Sequence, residues 1–240
     1  MIIINKRMTF LFRTIISFFL LFNLAFISAQ QSGIKTDDVY GSDPLLYNGR
    51  HYTFFLPSST GGNQYFSGRQ FENGSATIRG VIYNDLKLNY DIYNQQLILQ
   101  YENNIGAANL IIISDAWLES FSFRDLNFEI ISSQDTLKRI FQVLGTGSVR
   151  ILYSWEKKLM LDNIQGSKNY IFSNATREMN VYIGKKILKF RNNKSFYSLF
   201  DPDKRIAIRG YLRKNSISVK TATDQTMTGL IHYCNSLYTK

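Results

Sequence analysis

Between residues 86 and 93 apolar and polar side chains alternate. Leu86, Leu88, Tyr90 and Ile92 share one parity, and Lys87, Asn89, Asp91 and Tyr93 the other. Successive side chains of an extended chain point to opposite faces, so this stretch predicts a strand buried on one side. Residues 78–83 and 96–101 are strand-like as well. The polar pairs Asn84-Asp85 and Asn94-Gln95 that separate them suit tight hairpins. A three-stranded antiparallel meander is therefore expected from Thr77 to Tyr101.

The same pattern continues on both sides. Asn48-Gly49 between apolar groups is a hairpin signal, and residues 57–63 (PSSTGGN) read as a surface loop. Asn109–Ser114 is a short continuous apolar run, the mark of a strand covered on both faces. Residues 117–123 and 126–131 predict two strands hinged at Arg124-Asp125. Residues 140–144 lead through a glycine turn at 145–148 into another strand, and residues 170–173, 179–183 and 186–190 continue the series.

Near Ser195 the period changes. Asp201-Pro202-Asp203 has the chemistry of a helix start, with an acid at the cap, proline in the first turn and a second acid near the positive end of the dipole. Ile208, Tyr211 and Leu212 form its apolar stripe, and Asn215 is its stop. A second helix starts at Thr223 or Asp224. Met227, Leu230, Ile231, Cys234 and Leu237 follow at spacings of three and four, one amphipathic face. About ten strands followed by two or three C-terminal helices make an α+β protein. Its antiparallel meander is a curved sheet, half-barrel or small barrel over 45–194, and residues 195–240 form a helical segment packing on it. The strands are too short, and the helical ending is wrong, for an outer-membrane barrel.

The first 29 residues are of another kind. Lys6, Arg7 and Arg13 precede an apolar run that ends in Ile27-Ser28-Ala29, the layout of a secretory signal peptide, and residues 30–44 are a polar lead-in. Removing the three basic residues lowers the net charge from +10 to +7. That balance suits anionic lipid, glycan or another envelope protein as partner, and no basic tract points to nucleic acid. The expected location is the periplasm, the outer-membrane surface or the medium, with no integral membrane segment after cleavage. A single cysteine, Cys234, excludes an internal disulfide and a zinc site built on cysteines.

Catalytic signatures are missing from the sequence. The only histidines, His51 and His232, stand far apart instead of at metal-binding helical spacing. No G-x-S-x-G elbow occurs. Cys234 falls on an apolar stripe, which makes it a packing residue. Asp91, Asp115, Glu119 and Glu129 are the sheet-region acids that a two-carboxylate hydrolase could use, with Asp91 and Glu129 as the pair to test. The polar face Lys87, Asn89, Asp91, Tyr93 is a candidate ligand surface. Arg205, Arg209 and Arg213, four residues apart and flanked by Lys204 and Lys214, form a basic helix face. No metal and no cofactor are expected. The tripeptide Asp135-Thr136-Leu137 resembles an O-glycosylation sequence of Bacteroidota.

The ending SAQ of the leader, the meander GVIYNDLKLNYDIYNQQLIL and the tail KSFYSLF…KRIAIRGYLRKN resemble a group of exported β-rich proteins of Bacteroidota that carry no assigned activity. The resemblance implies export and transfers no catalytic residue. The expectation is a non-enzymatic ligand- or partner-binding protein. A carboxylate-dependent, glycosidase-like hydrolase and a structural scaffold of an envelope assembly stand as alternatives.

Overall fold

The computed structural model describes residues 45–46, 49–57, 59–102, 107–133, 136–162 and 169–238. The expected leader and lead-in lie outside them, and so does part of the Asp135-Thr136-Leu137 tripeptide.

Among the described residues thirteen strands are followed by three helices, the α+β order expected. Eleven strands build one open antiparallel sheet in the order β1-β5-β4-β3-β2-β6-β7-β8-β9-β12-β13. These are β1 (Arg50–His51), β2 (Glu72–Ile78), β3 (Val81–Asp91), β4 (Gln96–Glu102), β5 (Ala108–Ile112), β6 (Leu118–Phe123), β7 (Leu126–Ser133), β8 (Thr136–Leu144), β9 (Arg150–Glu156), β12 (Thr176–Ile183) and β13 (Lys186–Lys189). Strands β10 (Leu159–Asp162) and β11 (Asn169–Phe172) form a separate hairpin.

The meander expected from Thr77 to Tyr101 is corrected: that stretch holds β3, β4 and only the end of β2, most of which lies before it. Asn84-Asp85 does not end a strand. β3 runs through it, and the register with β2 shifts between Gly74 and Ala76. Asp85 takes a left-handed φ of 56°, which aspartate tolerates better than most residues, so the polar pair is a bulge. The true turn is Arg79-Gly80, both at positive φ (50° and 76°). This two-residue hairpin hides in the sequence because arginine is not a turn residue by habit. The Arg124-Asp125 hinge is a turn of the same kind, with φ of 52° and 60°.

The sheet is strongly curled. β5 and β8 stand six places apart in the order, roughly 29 Å in a flat sheet. Yet Ile113, just past β5, and Ile140 of β8 line the same cavity. The Phe66 ring, held beside β3, lies 5.0 Å from that of Trp155 on β9. Inside the curl Leu86, Leu88, Tyr90, Leu97, Leu99, Ile111, Phe121 and Phe128 form one core. Its centre is an aromatic stack, with Phe121 and Phe128 rings 4.7 Å apart and nearly parallel. Gly74 is required here, because a Cβ on it would stand 2.2 Å from the Ser122 carbonyl oxygen.

The inner face of the remaining strands is covered by helices α1 (Asn193–Tyr197), α2 (Pro202–Lys214) and α3 (Asp224–Ser236). The predicted stripes are buried: Ile208 and Leu212 from α2, and Met227, Leu230, Ile231 and Cys234 from α3, against Val149, Ile151, Tyr153 and Val181. Thr223 caps α3 by accepting from the Thr226 amide. Asp201 precedes α2 as expected, but its side chain makes no cap bond. It meets the Lys204 ammonium at 3.2 Å instead. Among the described residues no helix is long and apolar enough to cross a membrane.

Candidate functional site

The four residues of the predicted polar face have four different fates. Lys87 is exposed, and Tyr93 lies on the surface with 38% of its area open. Asn89 is buried, its amide donating to the carbonyls of Gly68 (2.9 Å) and Gln70 (3.1 Å). Asp91 is completely buried. It neither lines an open cavity nor faces water, the two possibilities its position in the strand suggests. A strap of chain, the described part of residues 52–70, covers it: Tyr52 bonds to it, Tyr65 bridges to it, and the Phe66 and Ile92 amides donate to the Tyr90 and Gln64 carbonyls on either side.

Asp91 is satisfied by four hydrogen bonds. Oδ1 accepts from the amides of Tyr93 (3.0 Å) and Asn94 (2.8 Å), and Oδ2 from the Tyr52 hydroxyl (2.8 Å) and Asn94 Nδ2 (2.8 Å). Gln64 Nε2 donates to the Tyr52 oxygen at 2.8 Å. Lys157 fastens the strap further, its Nζ donating to the carbonyls of Asn63 (2.9 Å) and Tyr65 (2.7 Å). Burial pushes the Tyr52 phenol above its ordinary range, and the adjacent Asp91 charge pushes it the same way. Burial lowers the Lys157 ammonium, which the Asp91 charge partly offsets. A carboxylate whose oxygens are all engaged is a clasp: it sets the Ile92–Gln95 turn and ties the strap to it.

Glu129 faces Arg150, which reaches both of its oxygens at 2.9 and 2.7 Å. Asp91 is buried with both oxygens engaged, and Glu129 is held by Arg150, so the two do not offer the pair of free carboxyl groups that a glycosidase uses. Among the described residues no three His, Cys, Asp or Glu side chains converge on a metal site. Cys234 is buried, and burial pushes its thiol up to about 12, the state of an inert packing residue. His232 is exposed on α3.

The basic face is present on α2, with Arg205, Arg209 and Arg213 all exposed. Arg205 also turns back to cap the preceding segment, its Nε donating to the Phe200 carbonyl at 2.8 Å. Lys204 leaves this face for Asp201, Asp203 and the Tyr238 ring.

What the sequence does not reveal is a cleft of about 380 Å³ at one end of the curl. Leu97, Ile113, Leu118 and Ile140 give it apolar walls, and Arg50, Gln96, Ser114 and Asp115 a polar rim. Asn94 and Gln95 form one side, and both are locked. Asp91 holds Asn94, while Gln95 accepts from the Tyr90 hydroxyl (2.7 Å) and donates to the carbonyls of Ile92 and Trp155 (2.8 Å each). Asp91 thus acts on the cleft from behind, by fixing the turn that walls it. The lining residues come from separate strands as distant as Arg50 and Ile140. No local motif could have announced them, apart from Asp115, which sequence picks out only as one acid among four.

The chain matches no family model, no curated protein and no solved structure.

Proposed function

We propose that this is an exported, non-enzymatic binding protein that takes a small amphipathic molecule in the cleft between β4, β5 and β8. The supporting observation is the cleft's division of labour. An apolar floor of leucine and isoleucine meets a rim whose Arg50, Gln96 and Asp115 side chains make no hydrogen bond or ion pair within the described residues. Convergent polar groups over an apolar, pre-formed cavity of this size are the usual form of a small-molecule site. One cation, one anion and an amide at the rim suit a zwitterionic or neutral polar head, with the apolar part seated inside. The basic-then-apolar leader supports export. The two-carboxylate alternative has less support, because Asp115 is the one carboxylate among the cleft's lining residues and Asp91 behind it has no free oxygen to offer.

Native mass spectrometry of the protein taken from its exporting cell tests this. A small-molecule adduct is expected on the wild type. It should fall about tenfold in Gln96→Trp, which fills the half-exposed rim without touching the core, a loss of ~1.4 kcal/mol in binding. A bare mass for wild type under gentle ionisation, or an adduct indifferent to Gln96→Trp, would sink the assignment.

A further inference from the structure

Helix α2 carries two stripes. Ile208 and Leu212 are buried on one side, with Tyr211 packed beside them. At ~100° per residue, Ile206 points directly away from that side, and Arg209, Gly210 and Arg213 follow it at i+3, i+4 and i+7. The four therefore share one face of one helix. All are exposed, Ile206 to 82%.

Two of the four are poor choices for a solvated helix face. Ile206 holds an aliphatic side chain in water, and glycine is the weakest helix former after proline. A Cβ on Gly210 would meet nothing within 4 Å, so no packing inside this protein requires glycine there. Local choices that lower stability without an internal reason mark a position under another constraint. Side by side they make a knob and a notch: Ile206 stands out, and one turn on the bare backbone lets a second surface come close.

The face is also positive. Arg209 and Arg213 stand one turn apart, ~6 Å along the axis, and their guanidinium groups bond to no described residue. Arg205 flanks them, although its Nε is engaged by the Phe200 carbonyl. Asp203, the one acid within α2, meets the Lys204 ammonium at 3.4 Å. Residues 191–240 hold nine Lys or Arg against three Asp or Glu, a net +6 of the chain's +10. The positive charge is concentrated in the helical segment.

These features discriminate between anionic partners. Entering a bilayer takes a broad apolar face, and a single isoleucine does not make one. Sugars are gripped by stacking on aromatic rings, and this face has none. A second copy docked through the same face would set like charges against each other. A protein surface uses all four residues. Arginine is enriched at protein interfaces and takes carboxylates bidentately, and anchors at i, i+3, i+4 and i+7 are how a helix presents itself to a groove.

We propose that the outer face of α2 docks on an acidic protein surface. Ile206 enters an apolar hollow of the partner, the partner closes on the Gly210 backbone, and Asp or Glu carboxylates meet Arg209 and Arg213. Helix α2 contributes no residue to the cleft, so the two assignments are tested separately.

The probe is a random copolymer of glutamate and leucine, titrated against the protein as the exporting cell delivers it. Polyglutamate, polygalacturonate and phosphatidylglycerol vesicles serve as the other anions. The copolymer should bind more tightly than any of them, and more weakly as salt rises. Arg209→Glu combined with Arg213→Glu should weaken it about tenfold, and Ile206→Ser about threefold. Gly210→Leu separates docking from folding. It strengthens the helix, so the variant should melt no lower than wild type, yet it fills the notch and should weaken binding about tenfold. No binding of the copolymer, or binding that these variants leave unchanged, overturns the proposal. Tighter, variant-sensitive binding to polygalacturonate or to the vesicles also overturns it, by giving the face to glycan or lipid.

Discussion

The strap over β3 and the helices over β8, β9 and β12 meet the same need by different chemistry. Both cover a sheet surface that would otherwise lie open. The helices do it with an apolar stripe: Leu230, Ile231 and Cys234 are fully buried. Polar ties sit at both ends of α3: Asp224 at its start accepts from Gln142 Nε2 (2.6 Å) and Arg177 (3.2 Å), the Asp224 and Arg177 side chains being 35% and 23% exposed, and Asn235 near its end accepts from the Val149 amide (2.9 Å) and donates to the Thr146 and Val149 carbonyls (2.9 and 2.8 Å). The strap seats one ring, Phe66, among Tyr90, Phe123, Phe128 and Trp155, while much of the rest of its surface is exposed. It is held by a fully buried carboxylate and a lysine that reaches two of its carbonyls. An apolar seal tolerates small movements because it has no direction. A hydrogen-bonded clasp fixes one geometry, which suits the segment that walls a binding cleft.

The sharpest way to break this comparison is to damage each cover and ask what opens. Leu230→Ala removes a buried stripe residue and should lower global stability by about 3 kcal/mol. Denaturant unfolding should show one transition moved to lower concentration. Asp91→Ala strands the Tyr52 hydroxyl and the Asn94 donors, at a cost of about 2–3 kcal/mol. Here the loss should be local first. The Phe66 and Ile92 amides, which bond to the Tyr90 and Gln64 carbonyls, should exchange with solvent faster than the helix amides, and proteases should cut within residues 57–63. If both variants move every amide together, the strap is not a separate unit and the contrast fails.

The fold was largely legible because its periodicities are strong. The alternation at 86–93 gave β3 its faces, and the three-and-four spacing from Met227 to Cys234 gave α3 its buried side. Local reading failed where tertiary context decides. Asn84-Asp85 resembles a turn but is absorbed as a bulge, because β2 and β3 are long enough to pair on both sides of it. Asn89 and Asp91 share a parity with exposed Lys87 and Tyr93, so alternation assigned them to an open face. A strap about 20 residues upstream buries them, and nothing in their own neighbourhood announces it. The cleft lay still further out of reach, since it exists only once the sheet has curled to bring Ile140 near Leu97.

The tie at the start of α3 should matter less than the strap clasp. Arg177→Met removes the ion pair with Asp224 but keeps a flexible apolar side chain near Tyr153, over which the guanidinium lies at 4.2 Å. Because both partners are partly solvated, the expected loss is about 1 kcal/mol or less, and it should shrink further in high salt. Melting in low- and high-salt buffer checks this. A loss above that of Asp91→Ala would mean that the helices are fastened by charge after all.

The smallest effect separates a phenol with partners from one without. Among the described residues the Tyr153 hydroxyl is buried and finds no hydrogen-bond partner, whereas Tyr52 donates to Asp91 and accepts from Gln64. Tyr153→Phe should therefore leave stability at neutral pH within about 0.5 kcal/mol of wild type, while Tyr52→Phe should cost about 1 kcal/mol. Alkaline pH adds a second readout. Burial holds the Tyr52, Tyr90 and Tyr153 phenols above their ordinary values, Tyr153 up to about 12. The unfolded chain releases these protons near pH ~10 while the folded chain keeps them. With fewer protons bound in the unfolded state, stability is whole below that pH and declines as pH rises from about 10 towards 12. Tyr153→Phe removes one of these sites, so its urea midpoint should match wild type at neutral pH and exceed it at high pH. A variant as destabilised at neutral pH as Tyr52→Phe would show that the Tyr153 hydroxyl is bonded in solution.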